Sequence, residues 1–96
     1  MSIEENARRI VDGLPLEASV RLRQYSDRIV EIIISDRYKN SRSKEVEIAR
    51  VRYMINGYIT ALYDCGHVEL NDSLDLISYY ETIRPNNQLK GVRYNG

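Results

Sequence analysis

The stretch from residue 46 to residue 65 has the clearest pattern of apolar and polar positions in the chain. Its mostly apolar residues recur at alternating intervals of three and four: Ile48, Val51, Ile55, Tyr58, Leu62 and Cys65. This spacing places them on one face of an α-helix. A neighbouring line is polar or aromatic and consists of Ala49, Tyr53, Asn56, Thr60 and Tyr63. We therefore expect a central helix that contacts one apolar neighbour and one partly polar neighbour.

The chain before this stretch has two further patterns of helical period. Ser2 stands three residues before Glu5, which is the spacing of a capping box, and the short amphipathic segment that follows ends at Gly13. After Pro15, whose missing N–H costs nothing in a first helical turn, a longer helix is predicted from Leu16 to about Tyr38. Its apolar positions alternate between spacings of four and three: Ala18, Leu22, Tyr25, Ile29 and Ile32. We expect a heptad-like seam along this second helix.

Turn and cap residues set the limits of the central helix, which is the third. The polar segment 38–43 predicts a turn that folds the second and third helices into an antiparallel hairpin, with Ser41 or Ser43 as the N-cap of the third. Gly57 lies inside this helix, where glycine costs ~1 kcal/mol relative to alanine. Either a neighbouring backbone packs closely there or the helix has a functional kink. Gly66 is predicted to end the helix in the left-handed conformation.

A fourth, shorter helix is predicted from a cap at Asn71 or Asp72 to about Ile83. Its inward positions are expected to be Leu74, Ile77 and Tyr80. Residues 84–96 contain Pro, Gly and Asn without a sustained period, so we expect a flexible tail that contributes little to folding. The predicted fold is all-α: an antiparallel hairpin of two long helices with a short N-terminal and a short C-terminal helix. Residues 1–83 would form a single helical domain.

Length and charge narrow the function classes. A chain of 96 residues makes one domain with a modest core, which association with another copy would enlarge. The formal net charge is zero, so bulk attraction to nucleic acid or to an anionic membrane is not expected. The charges are uneven, because residues 37–52 carry six basic and two acidic side chains, whereas every charged residue of 64–80 is acidic. This two-ended distribution permits head-to-tail contact between copies or the binding of an anion.

Other features bear on location and on nucleic acid. The single cysteine excludes an intrachain disulfide and no secretory signal pattern leads the chain, so we expect a cytoplasmic protein. No apolar run approaches the ~20 residues of a membrane span, and no membrane partner is expected.

A helix-turn-helix built from 46–65 and 72–83 would present a recognition helix without Arg or Lys before Arg84. DNA phosphates would repel it, so nucleic acid is not expected either.

No arrangement of residues predicts catalysis or a metal site. Cys65 and His67 are the only soft metal ligands, and two ligands cannot close a tetrahedral site. We expect Cys65 to be a buried, small apolar residue at the end of its helix. One histidine without a marked nucleophile gives no catalytic group, so neither an enzyme nor a cofactor is expected.

Arginine is the enriched cation, with eleven Arg against three Lys. Five arginines fall on the first two predicted helices: Arg8, Arg9, Arg21, Arg23 and Arg28. The guanidinium group binds phosphate as a planar fork, and the tyrosines supply rings on which bases stack. Alternatively, these arginines form solvated helix faces with salt bridges to nearby carboxylates, which are those of Glu17, Asp27, Glu31, Glu45 and Glu47.

Two segments resemble a known family: ARRIVDGLPLEASVRL and SKEVEIARVRYMINGYITAL. The family is the anti-CBASS sponges, small phage proteins with a short helix followed by two long ones. The match covers about residues 6–62 and depends mainly on Arg9-Ile10, Leu16 and Ile48-Ala49-Arg50. The resemblance implies a homo-oligomer in the host cytoplasm that sequesters cyclic oligonucleotide signals without cleaving them. Arg28 stands where the family has a phosphate-binding lysine, and Gly13 where it has a base-stacking tyrosine.

The leading hypothesis is a non-enzymatic binding protein of the phage anti-defence type that captures a cyclic nucleotide. Arg9, Arg23 and Arg28 would contact phosphate and Tyr25 a base. The alternative is a protein–protein interaction module that masks or inhibits a host protein, or a structural assembly subunit. We expect self-association through the second helix, whose isoleucines exceed what one hairpin can cover: Ile29, Ile32, Ile33 and Ile34.

Overall fold

The computed structural model describes residues 2–38 and 40–89 and contains four α-helices within them. They are α1 (Ile3–Asp12), α2 (Leu16–Ile34), α3 (Ser41–Asp64) and α4 (Leu70–Glu81). No strand occurs among these residues, so the all-α prediction, with two long and two short helices, is confirmed. None of the helices in the described ranges is long and apolar enough to cross a bilayer.

The helices pack around α3, which lies between α2 and α4, while α1 contacts α4 and, to a smaller extent, α2. Near the loop that joins the two long helices, Lys44 Nζ donates a hydrogen bond to the carbonyl of Ile33 (2.9 Å). Further from the loop, the rings of Tyr25 and Tyr58 meet edge-on with their centroids 6.2 Å apart. Residues close to the loop on α2 thus contact residues close to it on α3, and residues far from the loop contact residues far from it. The two helices therefore run in opposite directions.

Local signals set the ends of the first two helices. Ser2 Oγ accepts a hydrogen bond from the N–H of Glu5 at 3.1 Å, as the capping-box spacing predicts. The C-cap of α1 is Gly13, also as predicted. α2 ends at Ile34, four residues before its predicted limit, because the backbone of Ser35 is extended and starts the loop.

The start of α3 is capped by a residue that the sequence analysis did not select. Asn40 Oδ1 accepts a hydrogen bond from the N–H of Ser43 at 2.8 Å. The prediction of Ser41 or Ser43 as the N-cap is therefore wrong. An asparagine side chain caps a helix as well as a serine does, and Asn40 stands one residue earlier.

The connection between α3 and α4 follows the predicted terminator. Gly66 has a φ of 81°, and its N–H donates to the carbonyl of Tyr63 (3.0 Å). The N–H of His67 donates to the carbonyl of Leu62 (2.9 Å), which completes a Schellman motif. α4 then begins at Leu70, after an N-cap residue without a side-chain hydrogen bond. The predicted caps, Asn71 and Asp72, lie inside the helix, so that prediction is wrong.

The core uses a face of α3 that is shifted from the predicted one. Its buried residues are Val51, Ile55, Ile59 and Leu62, with Ile48 and Tyr58 partly buried beside them. Ile59 is covered because α3 packs against helices on two sides. The prediction that Cys65 is buried is wrong: α3 ends at Asp64, and Cys65 is exposed in the turn that follows.

The inward face of α4 also differs from the prediction. Leu76 and Tyr79 have no exposed surface and Tyr80 is buried, whereas Leu74 is 53% exposed. Leu74 was expected to point inward, and that prediction is wrong because α4 packs against α1 and α3 through the other side of the helix. The buried hydroxyl of Tyr79 donates a hydrogen bond to the carbonyl of Asn87 at 2.7 Å.

The isoleucines of α2 are mostly used inside the chain. Ile29 and Ile32 are fully buried, and Ile33 packs partly buried against the core. Only Ile34 is largely exposed, at 66%. The expected surplus of apolar surface at these four positions is therefore limited mainly to Ile34.

The segment after α4 packs against the helices as far as the structure describes it. Leu89 is buried, and its carbonyl accepts a hydrogen bond from Arg23 Nη1 at 2.6 Å. Asn87 Nδ2 donates to the carbonyl of Thr82 (2.9 Å), and Gln88 donates to Asp27. Residues 84–89 of the predicted flexible tail thus have specific contacts, and residues 90–96 lie outside the described part of the chain.

Candidate functional site

Arg9, the first predicted phosphate ligand, joins α1 to α4. Its Nη2 atom lies 3.0 Å from Oδ1 of Asp72 and 2.8 Å from Oδ1 of Asn6. Asn6 in turn donates from Nδ2 to Oδ2 of Asp75 at 2.8 Å. The guanidinium group therefore already has a carboxylate partner, at the acidic first turn of α4, where the helix dipole favours negative charge.

Arg23 and Arg28, the other two predicted ligands, also have carboxylate partners. Arg23 Nε lies 2.9 Å from Oδ1 of Asp27, one helical turn away. Arg28 Nη1 lies 3.2 Å from Oε1 of Glu31. The pairing of these arginines with Asp27 and Glu31 is the salt-bridge alternative that the sequence left open.

Tyr25, the predicted base-stacking residue, packs against the core between the long helices. Its ring meets that of Tyr58 at an interplanar angle of 69°. This edge-to-face contact is the favoured geometry for two packed rings. Tyr25 is only partly buried, but the ring contributes to the α2–α3 contact.

The predicted ligands lie in different surroundings. Arg9 lines a groove of about 380 Å³ between the end of α1 and the α3–α4 connection, whose other lining residues are Ile10, Gly13, Gly66, His67, Val68, Glu69 and Asp72. Arg23 lines a separate, much smaller cavity beside Leu89. The groove carries one arginine and two carboxylates, so its charge does not favour a phosphate. Among residues 2–38 and 40–89, no three His, Cys, Asp or Glu side chains are placed to hold a metal ion.

A second surface appears on the side of α3 that faces away from α2 and α4. We call it the outer face of α3, and it consists of Val46, Arg50, Tyr53, Gly57, Ala61 and Asp64. These exposed residues recur at spacings of three and four and so form one row along the helix. Tyr53 is 79% exposed, the adjacent Met54 is about half exposed, and so is Val46 two turns earlier. An exposed aromatic ring next to an exposed methionine is typical of a protein-contact surface.

Gly57 stands in the middle of this row. Apart from the adjacent residues and the backbone of its own helix, no described atom lies within 4 Å of the position that a Cβ would occupy, so no neighbour in the described chain requires a glycine there. The predicted close approach of a backbone is therefore not made by the described part of the chain. The polar and aromatic line that the sequence predicts shares only Tyr53 with this face, and we expected a helix of the same chain to pack against that line.

Among the described residues, Arg52 is a cation in unfavourable surroundings. Its Nε atom is buried and has no hydrogen-bond partner in the described part of the chain. Burial lowers the pKa of the guanidinium group below its ordinary value, Arg84 lowers this pKa further, and Glu81 acts in the opposite direction. No pattern along the chain predicts this environment for Arg52, because burial depends on how α3 and α4 pack.

Comparison with known protein families, with curated proteins and with solved structures finds no match for this chain. The resemblance to the anti-CBASS sponges therefore stays a prediction.

Proposed function

We propose that this chain is a non-enzymatic protein–protein interaction module and that it contacts its partner through the outer face of α3. The observation that supports this most directly is the exposure of Tyr53 at the middle of the longest helix. Tyrosine is enriched among residues that dominate binding energy, because it covers a large area at low conformational cost. Met54 beside it adds an adaptable apolar side chain, which suits a contact surface.

Rigidity of the supporting helix favours the same function. Val51, Ile55 and Ile59 fix the inner face of α3 in the core, so the outer face is presented without reorganisation of the backbone. A preorganised surface loses less conformational entropy on binding than a mobile loop does. The outer face therefore has both the composition and the support that an interface requires.

The experiment is site-specific photo-crosslinking in the source cells. Benzoylphenylalanine replaces Tyr53 in one variant and Ile34, the exposed isoleucine of α2, in the control. We expect a discrete crosslinked product from position 53 and none from position 34, and mass spectrometry identifies the attached chain. A product from position 34 with none from position 53 would contradict the proposal.

Capture of a cyclic nucleotide is a second candidate, and one observation favours it. Arg9 lines a groove whose volume of about 380 Å³ lies within the range of small-molecule sites. This candidate includes the phage anti-defence role and the cytoplasmic location that the resemblance implies. A bound phosphate would have to displace Asp72 from Arg9 and tolerate Glu69 in the same groove.

Calorimetric titration with a panel of cyclic di- and trinucleotides tests this second candidate. Micromolar or tighter binding, weakened about tenfold by Arg9→Ala and unchanged by Arg21→Ala, would support it. Absence of heat and of any thermal shift with every member of the panel would exclude it and leave the interaction module.

A further inference from the structure

We infer that the partner of the outer face of α3 is a second copy of this chain, docked so that the two α3 helices run antiparallel and cross at Gly57. This inference rests on the proposed function, because it assigns an occupant to the same surface. Three features support it: the unoccupied space above Gly57, the side chains on either side of Gly57, and the charges at the two ends of α3.

Gly57 gives the crossing point. The distance between two packed helices depends on the side chains at their closest contact, and glycine allows the shortest approach. Nothing in the described chain occupies the space above Gly57. A glycine that no contact within the chain requires is explained if another backbone reaches it from outside.

A two-fold axis at Gly57 pairs residues that stand equally far before and after it. Tyr53 is four residues before and Ala61 four residues after, so each tyrosine ring lies over a small side chain of the other copy. Arg50 is seven residues before and Asp64 seven residues after. Since seven residues are close to two turns, both belong to the outer face, and each Arg50 meets Asp64 of the other copy.

Charge selects the antiparallel orientation over the parallel one. In α3, every basic side chain falls between Arg42 and Arg52, and Asp64 is the only charged residue after Arg52. A parallel pair would place Arg50 against Arg50, whereas an antiparallel pair places it against Asp64. Arg50 lies 3.5 Å from Glu47 on its own helix and its side chain is 68% exposed, so its guanidinium group can turn toward the partner copy.

The alternative self-contact through α2 has less surface to offer. Of the four isoleucines considered for it, Ile29 and Ile32 are fully buried and Ile34 alone is largely exposed. Symmetric interfaces need a continuous patch that is complementary to itself. The outer face of α3 provides such a patch over six exposed positions.

Charge reversal tests both the occupant and the orientation. Sedimentation of the purified protein is expected to show a dimer. Arg50→Asp or Asp64→Arg alone should raise the dissociation constant about tenfold, and the double variant should restore it. Gly57→Gln should produce a monomer with unchanged helical circular dichroism, because the added side chain blocks the crossing and Gln suits an exposed helix position.

Disulfide formation tests the register. In a Cys65→Ser background, the double variant Tyr53→Cys/Ala61→Cys should form an interchain disulfide on mild oxidation, because residue 53 of each copy faces residue 61 of the other. Native Cys65 should not form such a disulfide. Residue 65 is eight residues from the axis in each copy, so the two cysteines are separated by about 24 Å along the helices.

The outcomes separate this inference from the proposed function. A monomer at all concentrations, or no rescue in the double charge variant, would overturn self-association. If Tyr53 then crosslinks to a different protein in cells, the interaction module stands without the dimer. If position 53 gives no crosslinked product, the proposed function itself fails.

Discussion

At the scale of the residue, the same side chain serves different purposes according to its neighbours. Arg9, Arg23 and Arg28 each have a carboxylate within 3.2 Å, so their charge is balanced inside the chain. Pairs of this kind on a surface are individually weak, and they do not by themselves mark a binding site. Arg52 differs, because part of its guanidinium group is buried without a hydrogen bond.

Replacement of this unpaired group by an apolar one should stabilise the protein. Arg52→Met keeps an unbranched apolar stem and removes a buried donor, so we expect the free energy of unfolding to rise by up to ~1 kcal/mol. Urea denaturation measures the change. The matched control is Arg21→Met on the exposed side of α2, which should change stability by less than ~0.5 kcal/mol. A loss of stability in Arg52→Met would show that Arg52 holds the helices together.

At the scale of the element, the position of a glycine decides the effect of replacing it. Gly57 lies inside α3 in open surroundings, and Gly66 lies after α3 with a φ of 81°. Gly57 lowers the stability of the helix through its poor helix propensity, and no contact within the described chain offsets this cost. Gly66 supplies a left-handed conformation in which other residues are strained.

The two alanine variants should therefore change stability in opposite directions. At high dilution, where the chain is monomeric, Gly57→Ala should raise the free energy of unfolding by ~0.5 to 1 kcal/mol. Gly66→Ala should lower it by ~1 kcal/mol, since Ala must adopt a positive φ. Thermal denaturation followed by circular dichroism measures both. Equal effects of the two substitutions would contradict this account of α3.

The segment that follows α4 gives a prediction at the same scale. Leu89 is 7% exposed, and Arg23 and Tyr79 donate hydrogen bonds to the carbonyls of Leu89 and Asn87, respectively. Leu89→Ala should lower the free energy of unfolding by ~2 kcal/mol or more, because it leaves a cavity. Asn86→Ala, at an exposed position of the same segment, is the control and should have little effect. If Leu89→Ala proved neutral, residues 84–89 would belong to the flexible tail that the sequence predicts.

At the scale of the whole molecule, α1 is held to the other helices by two kinds of contact. On the surface, Arg9 pairs with Asp72 and Asn6 with Asp75. In the core, Ala7, Ile10 and Val11 are buried. Burial of apolar side chains contributes far more than exposed ion pairs do, so docking of α1 depends on the core contacts.

A comparison of the two kinds of contact tests this ranking. A double-mutant cycle with Arg9→Ala and Asp72→Ala should give a coupling free energy below ~1 kcal/mol. Ile10→Ala should lower the free energy of unfolding by ~2 to 4 kcal/mol. A larger effect from the ion pair than from Ile10 would reverse the ranking.

The sequence by itself determined the number and type of the helices and several of their ends. The Ser2 cap, the Gly13 end of α1 and the Gly66 terminator of α3 were all predictable. Each depends on hydrogen bonds and backbone conformation within a few residues, so the signal is complete in the local sequence. The apolar periodicity of α2 and α3 is likewise a local property.

Only the tertiary structure decided which faces are covered. In α4, one apolar line contains Leu74 and Ile77 and another contains Leu76 and Tyr79, and the helix period allows either to face inward. The positions of α1 and α3 selected the second. For the same reason, the sequence predicted a neighbouring helix for the line of residues that contains Tyr53, but in the structure Tyr53 is exposed. Burial depends on where distant segments lie, and that information is not contained in any one helix.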